Sequence, residues 1–360
     1  MCIRDSISTD RNVPSVFLSQ GFADNALTPQ FARNVTLVSQ DRSSKTPTAQ
    51  QWNVNVQREL PGAVLLHVGY NGNWLYHDWR SIDGNPAPPG AGDINARRRF
   101  TTAIVPGTTD AITLANVVRI QKDGWLRYHG LQTKVEKRYA RGVSLLGAYT
   151  WSKTWGLGYP PGGANNVYQN PDDLVGEEAS GENDRRHHFV ASGIYEIPFG
   201  RDGVSADGGR GVAQAVFGGW SISPIVTITS GAPLNLTVNG NPSNTGQSDR
   251  PNVVGDWQID NPTVAQWFNT AAFVANDRYT LGNAPRNLLR GPGTFNLDLA
   301  LRKAFAFSSR LRGEVRVESF NATNTPPLGN PNTQVGNPNF GRILSAGPGR
   351  SNQLSLKVLF

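Results

Sequence analysis

The chain has 360 residues, with 39 Gly, 24 Pro, one Cys and a formal net charge of +7. Gly and Pro fill about one position in six against a usual share of about one in eight, which argues against a mostly helical domain or a coiled coil. Cys2 alone builds no disulfide framework or cysteine zinc site, and no stretch approaches the roughly 18 apolar residues of a membrane helix.

Residues 1–46 read as a partial extracellular loop or strand end. Met1 to Ser6 lacks the apolar core of a secretory signal peptide, so either the protein is cytosolic or its true start is missing. These six residues are also candidates for sequence foreign to the natural gene product.

Period-two alternation then predicts nine strands. Trp52, Val54 and Val56 alternate with Asn53, Asn55 and Gln57, and Val64, Leu66, Val68 and Tyr70 with His67 and Gly69. Leu131, Thr133 and Val135 alternate with Gln132, Lys134 and Glu136. Spans 143–151, 189–197 and 220–228 follow, and then Phe295, Leu297, Leu299 and Leu301 against Asn296, Asp298, Ala300 and Arg302. Leu311, Val315 and Val317 oppose Arg312, Glu314, Arg316 and Glu318, and the chain closes on Leu354, Leu356, Val358 and Phe360. Strands of about nine to eleven residues suit a tilted crossing of a bilayer core, whereas soluble strands run nearer five or six.

The connections alternate between short and long. Short turns fall at 60–63, 140–142 and 306–309, with an intermediate link at 198–219. Long connections occupy 71–127, 152–185, 230–294 and 321–350, where most of the Gly, Pro and Asn reside. Structureless loops above about 12 to 15 residues are uncommon in compact soluble domains, but a bacterial outer-membrane barrel has short periplasmic turns and long external loops. Trp52, Tyr70, Tyr149, Trp151, Tyr195 and Trp220 fall towards strand ends, where a bilayer interface favours them. The expected fold is therefore all-β: a partial transmembrane antiparallel barrel of about nine meander strands with long extracellular loops.

The residues between and within these strands resemble a known family. The stretches are Gln50 to Gly62 (QQWNVNVQRELPG), His129-Gly130-Leu131-Gln132 with Lys137-Arg138, Ala148 to Lys153 (AYTWSK), Asp184 to His187 (DRRH) and Tyr195 to Gly200 (YEIPFG). Gly218-Gly219-Trp220, Thr229 to Pro233 (TSGAP), Arg290 to Gly293 (RGPG) and Glu318 to Asn324 (ESFNATN) complete the set. In this order they resemble the carboxyl-terminal half of the barrel of TonB-dependent outer-membrane receptors, in the Oar-like, carboxypeptidase-regulatory-like group of Acidobacteria type. The resemblance covers residues 47–360. It implies an outer-membrane location, barrel assembly machinery and membrane lipid as partners, and a plug and a TonB contact supplied by a missing amino-terminal region. Such barrels close at about 22 strands, so nine strands are expected to be a fragment. The terminal Phe360 matches the barrel assembly signal.

Enzymatic chemistry finds little support. Glu177, Glu178, Glu182, Asp184, His187 and His188 form the one cluster that could suggest a metal or acid–base site, and a structural role at the loop-to-strand junction is preferred. Weak divalent-cation binding by Asp172, Asp173, Glu177 and Glu178 is weighed against a solvated loop, which is preferred. Nucleophile elbows, phosphate loops and zinc-protease helices are absent, so the protein is expected not to be an enzyme and to need no cofactor. Arg97-Arg98-Arg99 and Arg185-Arg186 are the densest basic runs but lack interleaved aromatics, so nucleic acid is not an expected partner.

Uptake of a substrate across the outer membrane is the first functional expectation. A surface or adhesion protein anchored by its barrel is the alternative, and a soluble carbohydrate-active β-protein a distant third. Trp74, Tyr76, Trp79, Trp155, Tyr159 and Tyr168 are the candidate loop aromatics for stacking on a ligand. Lys134, Glu136, Arg138, Arg302, Arg312, Glu314, Arg316 and Glu318 are expected to face the lumen.

Overall fold

Nine long strands organise the chain: β1 (Thr48–Leu60), β2 (Val64–Asp83), β3 (Ala111–Ala140), β4 (Val143–Gly156), β5 (His187–Glu196), β6 (Trp220–Thr229), β7 (Thr294–Ala306), β8 (Arg312–Phe320) and β9 (Ser351–Leu359). The computed structural model describes residues 35–42, 45–105, 107, 109–157, 168–198, 216–306 and 311–360. Each long strand pairs antiparallel with the next in sequence, so the sheet is an uninterrupted meander whose outer strands are β1 and β9. β1 and β9 do not pair with each other, and the barrel is not closed. Among the described residues no helix is long and apolar enough to cross a membrane, which says nothing of crossing by strands.

The short turns have local causes. Between β3 and β4, Arg141 and Gly142 both take positive φ (53° and 82°), the backbone of the two-residue hairpin turn whose twist matches its strands. Pro61 and Gly62, the latter at φ 84°, reverse the chain between β1 and β2. Residues 307–309 of the turn expected at 306–309 and much of the 198–219 link, with Gly162, Gly163 and Gly208 to Gly211, lie outside the described residues.

Register divides the sheet into two faces, because directly opposed residues of an antiparallel pair project from the same side. One row runs Leu354–Val317–Leu301–Ile222–Tyr195–Val143 across six strands. The neighbouring positions give Gln57–His67–Lys134–Ala148–Val190–Thr227–Asn296 on the other side. The apolar side has no second layer over it: Val54 is 65% exposed, Leu354 74% and Leu356 69%. Surface of this kind is stable only where lipid covers it.

Charge is segregated just as sharply. Between the short-turn end and the row that holds Trp74, Arg127 and Trp155, six carboxylates occur on the long strands: Glu59, Glu136, Glu196, Asp298, Glu314 and Glu318. All six lie on the polar face. The apolar face holds none. Its cations sit only at its two ends, with Arg58, Lys137 and Lys303 near the short turns and Arg127 and Lys153 near the long loops. Lys137 Nζ donates to Gly62 O at 3.0 Å and Lys303 Nζ to Val216 O at 3.2 Å, so both ammonium groups reach towards the interface while their stems stay in the apolar band.

Two strands depart from expectation. The span 71–127 was expected as a loop, yet β2 continues to Asp83 and β3 begins at Ala111. At roughly 3.3 Å per residue the 30 residues of β3 reach about 100 Å, far beyond a hydrocarbon core of about 30 Å, so this hairpin projects well past the membrane. Register shifts at Tyr76/Asp78 and Asp78/Arg80, with His77 at φ 57°, interrupt the alternation there. An Arg80–Asp123 ion pair at 2.7 Å holds the projecting strands together. Val35–Gln40 adds a parallel strand alongside the first part of β3, and Thr102–Ile104 pairs antiparallel with residues 111–113.

The core lies outside the band. Leu236, Phe268, Ala272, Phe273, Ala284 and Leu289 form a buried cluster within the 230–294 connection, and Phe268 meets Phe273 edge-on at 5.7 Å and 87°. A smaller cluster of Ile82, Leu157 and Tyr168 packs beneath Trp125. The long connections therefore form a folded lobe above the sheet rather than separate solvated loops.

Candidate functional site

Polar side chains buried between connections hold the lobe together. Asp83, at the tip of β2, accepts from Val117 N at 3.2 Å and Asn85 N at 2.9 Å, from Arg98 Nη1 at 2.9 Å and from Gln247 Nε2 at 3.0 Å. Glu177 accepts from Gln169 N at 3.0 Å and Asn170 N at 3.1 Å, and pairs with Arg250 at 2.7 Å. Asp184 pairs with Arg290 and accepts from Thr154 N at 2.6 Å. An exposed ion pair adds little stability, but these carboxylates are each about 1 to 2% exposed, and a buried pair is costly to break.

Tyr168 lies between two guanidiniums, with Arg80 5.3 Å and Arg286 5.4 Å from its ring centre, and its hydroxyl donates to Leu157 O at 3.2 Å. Burial raises the Tyr168 pKa above its ordinary 10.0, and the two arginines partly oppose that rise. Burial also lowers the pKa of Arg286, which donates to Glu177 O at 2.9 Å.

Three connections enclose a cleft of about 460 Å³. Pro86, Ala87, Pro88 and Pro89 form one wall, Gln169 to Asp172 a second, and Thr245, Gln247 and Leu281 a third. Prolines fix φ, so the first wall is stiff before any ligand arrives. Arg97 ties the first wall to the third through the carbonyls of Pro88 and Asn244. Asn244 Nδ2 returns the link to Gly90 O and Gly92 O, both at 2.9 Å. Arg99 meets Asp172 at 2.7 Å with both side chains about half exposed, so a cation and an anion are presented side by side at the cleft. The set is guanidinium, carboxylate, amide and hydroxyl beside apolar rings, which suits binding by charge and hydrogen bonding.

The predicted aromatics are placed elsewhere. Trp74, Tyr76 and Trp79 ride on β2 and Trp155 on β4, so the expectation that they occupy loops is corrected. Trp74 and Tyr76 lie 5.2 Å apart, Trp79 sits under Lys122 and Trp155 under Lys153, and none lines the cleft. Tyr168 is 1% exposed, with its ring between two arginines, and offers no free face. Tyr159 lies outside the described residues.

Of the charged positions expected to face the lumen, Lys134, Glu136, Arg302, Arg312, Glu314, Arg316 and Glu318 share the polar face by register. Lys134–Glu136, Arg302–Glu314 and Arg316–Glu318 form ion pairs at 3.0, 2.9 and 2.8 Å. Arg138 sits where the β3–β4 register breaks between Lys137 and Ala140. Phe360 follows β9 and is fully exposed. Among the described residues no three His, Cys, Asp or Glu side chains group as metal ligands, and Glu177 and Asp184 are engaged by arginines instead.

Of the cleft residues, Arg97, Arg99, Gln169 and Gln247 were not singled out as a site by sequence reasoning, and Asp172 was weighed only as a weak cation ligand. One signal was available in the Arg97-Arg98-Arg99 run. The structure sends each member to a different acceptor: backbone carbonyls, Asp83 and Asp172.

Residues 4–353 match the family model described as an outer membrane beta barrel domain. The chain belongs to this family. It is accordingly an outer-membrane protein, and its apolar face is the barrel's lipid-facing side. No curated protein matches the sequence. Among solved structures it is similar in fold to the outer membrane transporter YddB from Escherichia coli, at TM-score 0.45 and 10% identity over 92% of this chain and 35% of that one. It is also similar to the ferric-catecholate import receptor Fiu from E. coli K12, at TM-score 0.40 and 12% identity over 93% and 31%. A third is the ferripyoverdine receptor of Pseudomonas aeruginosa, at TM-score 0.40 and 9% identity over 86% and 27%. This outer membrane beta barrel chain thus spans about a third of the length of each.

Proposed function

We propose that the chain is the carboxyl-terminal wall and outer lobe of a TonB-dependent receptor of the Oar-like type, which takes up a substrate across the outer membrane. The observation that carries this reading is the prefolded external lobe with a stiff-walled cleft, standing on a lipid-facing sheet whose other face is polar and charged. A barrel serving only as an anchor has no need of a cleft stapled across three connections. In this reading the cleft makes first contact, and Trp74, Tyr76, Trp79 and Trp155 supply stacking surface on the projecting strands. The charged rows around Lys134, Arg302 and Arg316 face a plug supplied by another region of the receptor, TonB acts through that region, and the barrel assembly machinery recognises the strand ending at Phe360.

The test is deletion of the gene in its source bacterium, with uptake of labelled peptides, oligosaccharides and metal chelates compared with a strain lacking TonB. The expected result is the same substrate-specific uptake defect in both strains. Normal uptake with lost surface attachment would favour the adhesion reading instead.

A further inference from the structure

The loop end of the lipid-facing side carries an arrangement that neither the family nor a transport role assigns. Three successive rows cross adjacent strands there: Tyr70–Leu131–Trp151–His187, then Trp52–Gly72–His129–Lys153, then Gln50–Trp74–Arg127–Trp155. Arg127, His129, Lys153 and His187 are all exposed. Arg127 lies over Trp74 at 5.0 Å and Trp125 at 5.2 Å, and Lys153 over Trp155 at 4.8 Å. Neither cation makes an ion pair among the described residues, and no carboxylate shares these rows.

Two tyrosine–histidine pairs repeat on the same face, Tyr70–His129 within these rows and Tyr149–His187 reaching one row towards the membrane centre. Tyr70 Oη meets His129 Nδ1 at 2.7 Å and Tyr149 Oη meets His187 Nδ1 at 2.7 Å, with the rings stacked 6.2 and 6.1 Å apart. Where the phenol donates to Nδ1, a neutral imidazole carries its proton on Nε2, which becomes a donor. The side chains capable of bonding a ligand here are thus guanidinium, ammonium, imidazole N–H, indole N–H, the Gln50 amide and the tyrosine hydroxyls, and none carries negative charge. Their height is fixed by the tryptophans and tyrosines, which favour the junction of acyl chains and headgroups.

We propose that this band is a docking site for phosphate-bearing anionic lipid headgroups of the outer leaflet, centred on Arg127 and Lys153 with His129 and His187 as flanking donors. Charge complementarity selects the occupant: a surface rich in donors, free of acids and placed at headgroup depth attracts an anionic lipid and leaves a zwitterionic one without net attraction. The bound headgroups would set the height of the barrel in the membrane from outside, whatever the receptor carries inside. Each cation near an anionic surface contributes roughly five-fold in affinity, so the pair together contributes about thirty-fold.

The protein, extracted from the outer membrane in a non-ionic detergent, is titrated with brominated phosphatidylglycerol and with brominated phosphatidylcholine, and tryptophan quenching is followed. The expected result is saturable quenching by phosphatidylglycerol at concentrations where phosphatidylcholine gives none, about thirty-fold weaker in Arg127→Gln/Lys153→Gln and retained in Arg127→Lys/Lys153→Arg. Inorganic phosphate should not compete at millimolar concentration. Equal quenching by the two lipids, an unchanged Gln variant, loss in the charge-conserving variant or ready competition by inorganic phosphate would each overturn the proposal.

Discussion

Glu177 and Arg250 close a 2.7 Å ion pair between connections 73 positions apart, and both side chains are almost wholly removed from water. Removing one partner leaves the other charged and buried, which costs about 3 to 5 kcal/mol. Glu177→Ala should therefore loosen the lobe without dissolving the sheet. Limited proteolysis in detergent checks it: the variant should be cut within 157–187 and 239–290 while the membrane-embedded strands persist. Protection equal to the parent would remove the pair from the account of lobe stability.

Tyr168 titrates above its ordinary value because burial opposes the phenolate. Its folded pKa exceeds the unfolded one, so its contribution is complete below about 10 and is lost as pH rises from there through the folded pKa. The lobe should accordingly weaken at alkaline pH, and Tyr168→Phe should weaken less over the same range. Parallel thermal unfolding of both proteins from neutral to strongly alkaline pH decides the matter, and identical slopes would refute the assignment.

The division of the sheet into two faces predicts opposite outcomes for neighbouring residues. Leu299 belongs to the apolar face, and Ala300 lies opposite Glu318 on the polar one. Leu299→Arg should cost about 2 to 4 kcal/mol when the protein folds into vesicles, as an arginine near the bilayer midplane does. Ala300→Arg should cost far less. Equal penalties, read from denaturant titrations in the same vesicles, would contradict the assignment of faces.

Trp52 places its indole ring over Gly72, its partner in register across β1 and β2. A methyl group at residue 72 would occupy the space of the indole ring. Gly72→Ala is expected to displace the ring, change the tryptophan emission and cost about 1 to 3 kcal/mol, as overpacking does. Trp52→Leu in the same chain should recover part of that loss, a coupling that a double-mutant cycle measures.

All nine strands were legible in the sequence because lipid on one side and polar surroundings on the other impose alternation that needs no knowledge of distant partners. The extension of β2 and β3 was not legible, since irregular register around His77 breaks the pattern where the strands leave the membrane. The lobe was hidden for another reason. Glu177 reads like its solvated neighbours Asp172 and Asp173, and only the arrival of Arg250 distinguishes it. Gln247 meets Asp83 across 164 positions, a contact no local pattern announces. The cleft depends on such pairings, so its residues looked like ordinary loop composition.

The stapling of the lobe also restricts how such a barrel can diversify. A single connection exchanged for that of a relative would strand Glu177 or Asp184 without its arginine, or Asp83 without Gln247, whereas all the connections exchanged together would carry their partners with them. New lobe structures in this barrel should therefore be inherited as whole crowns, with recombination points falling at the rim of the bilayer rather than between one crown segment and the next.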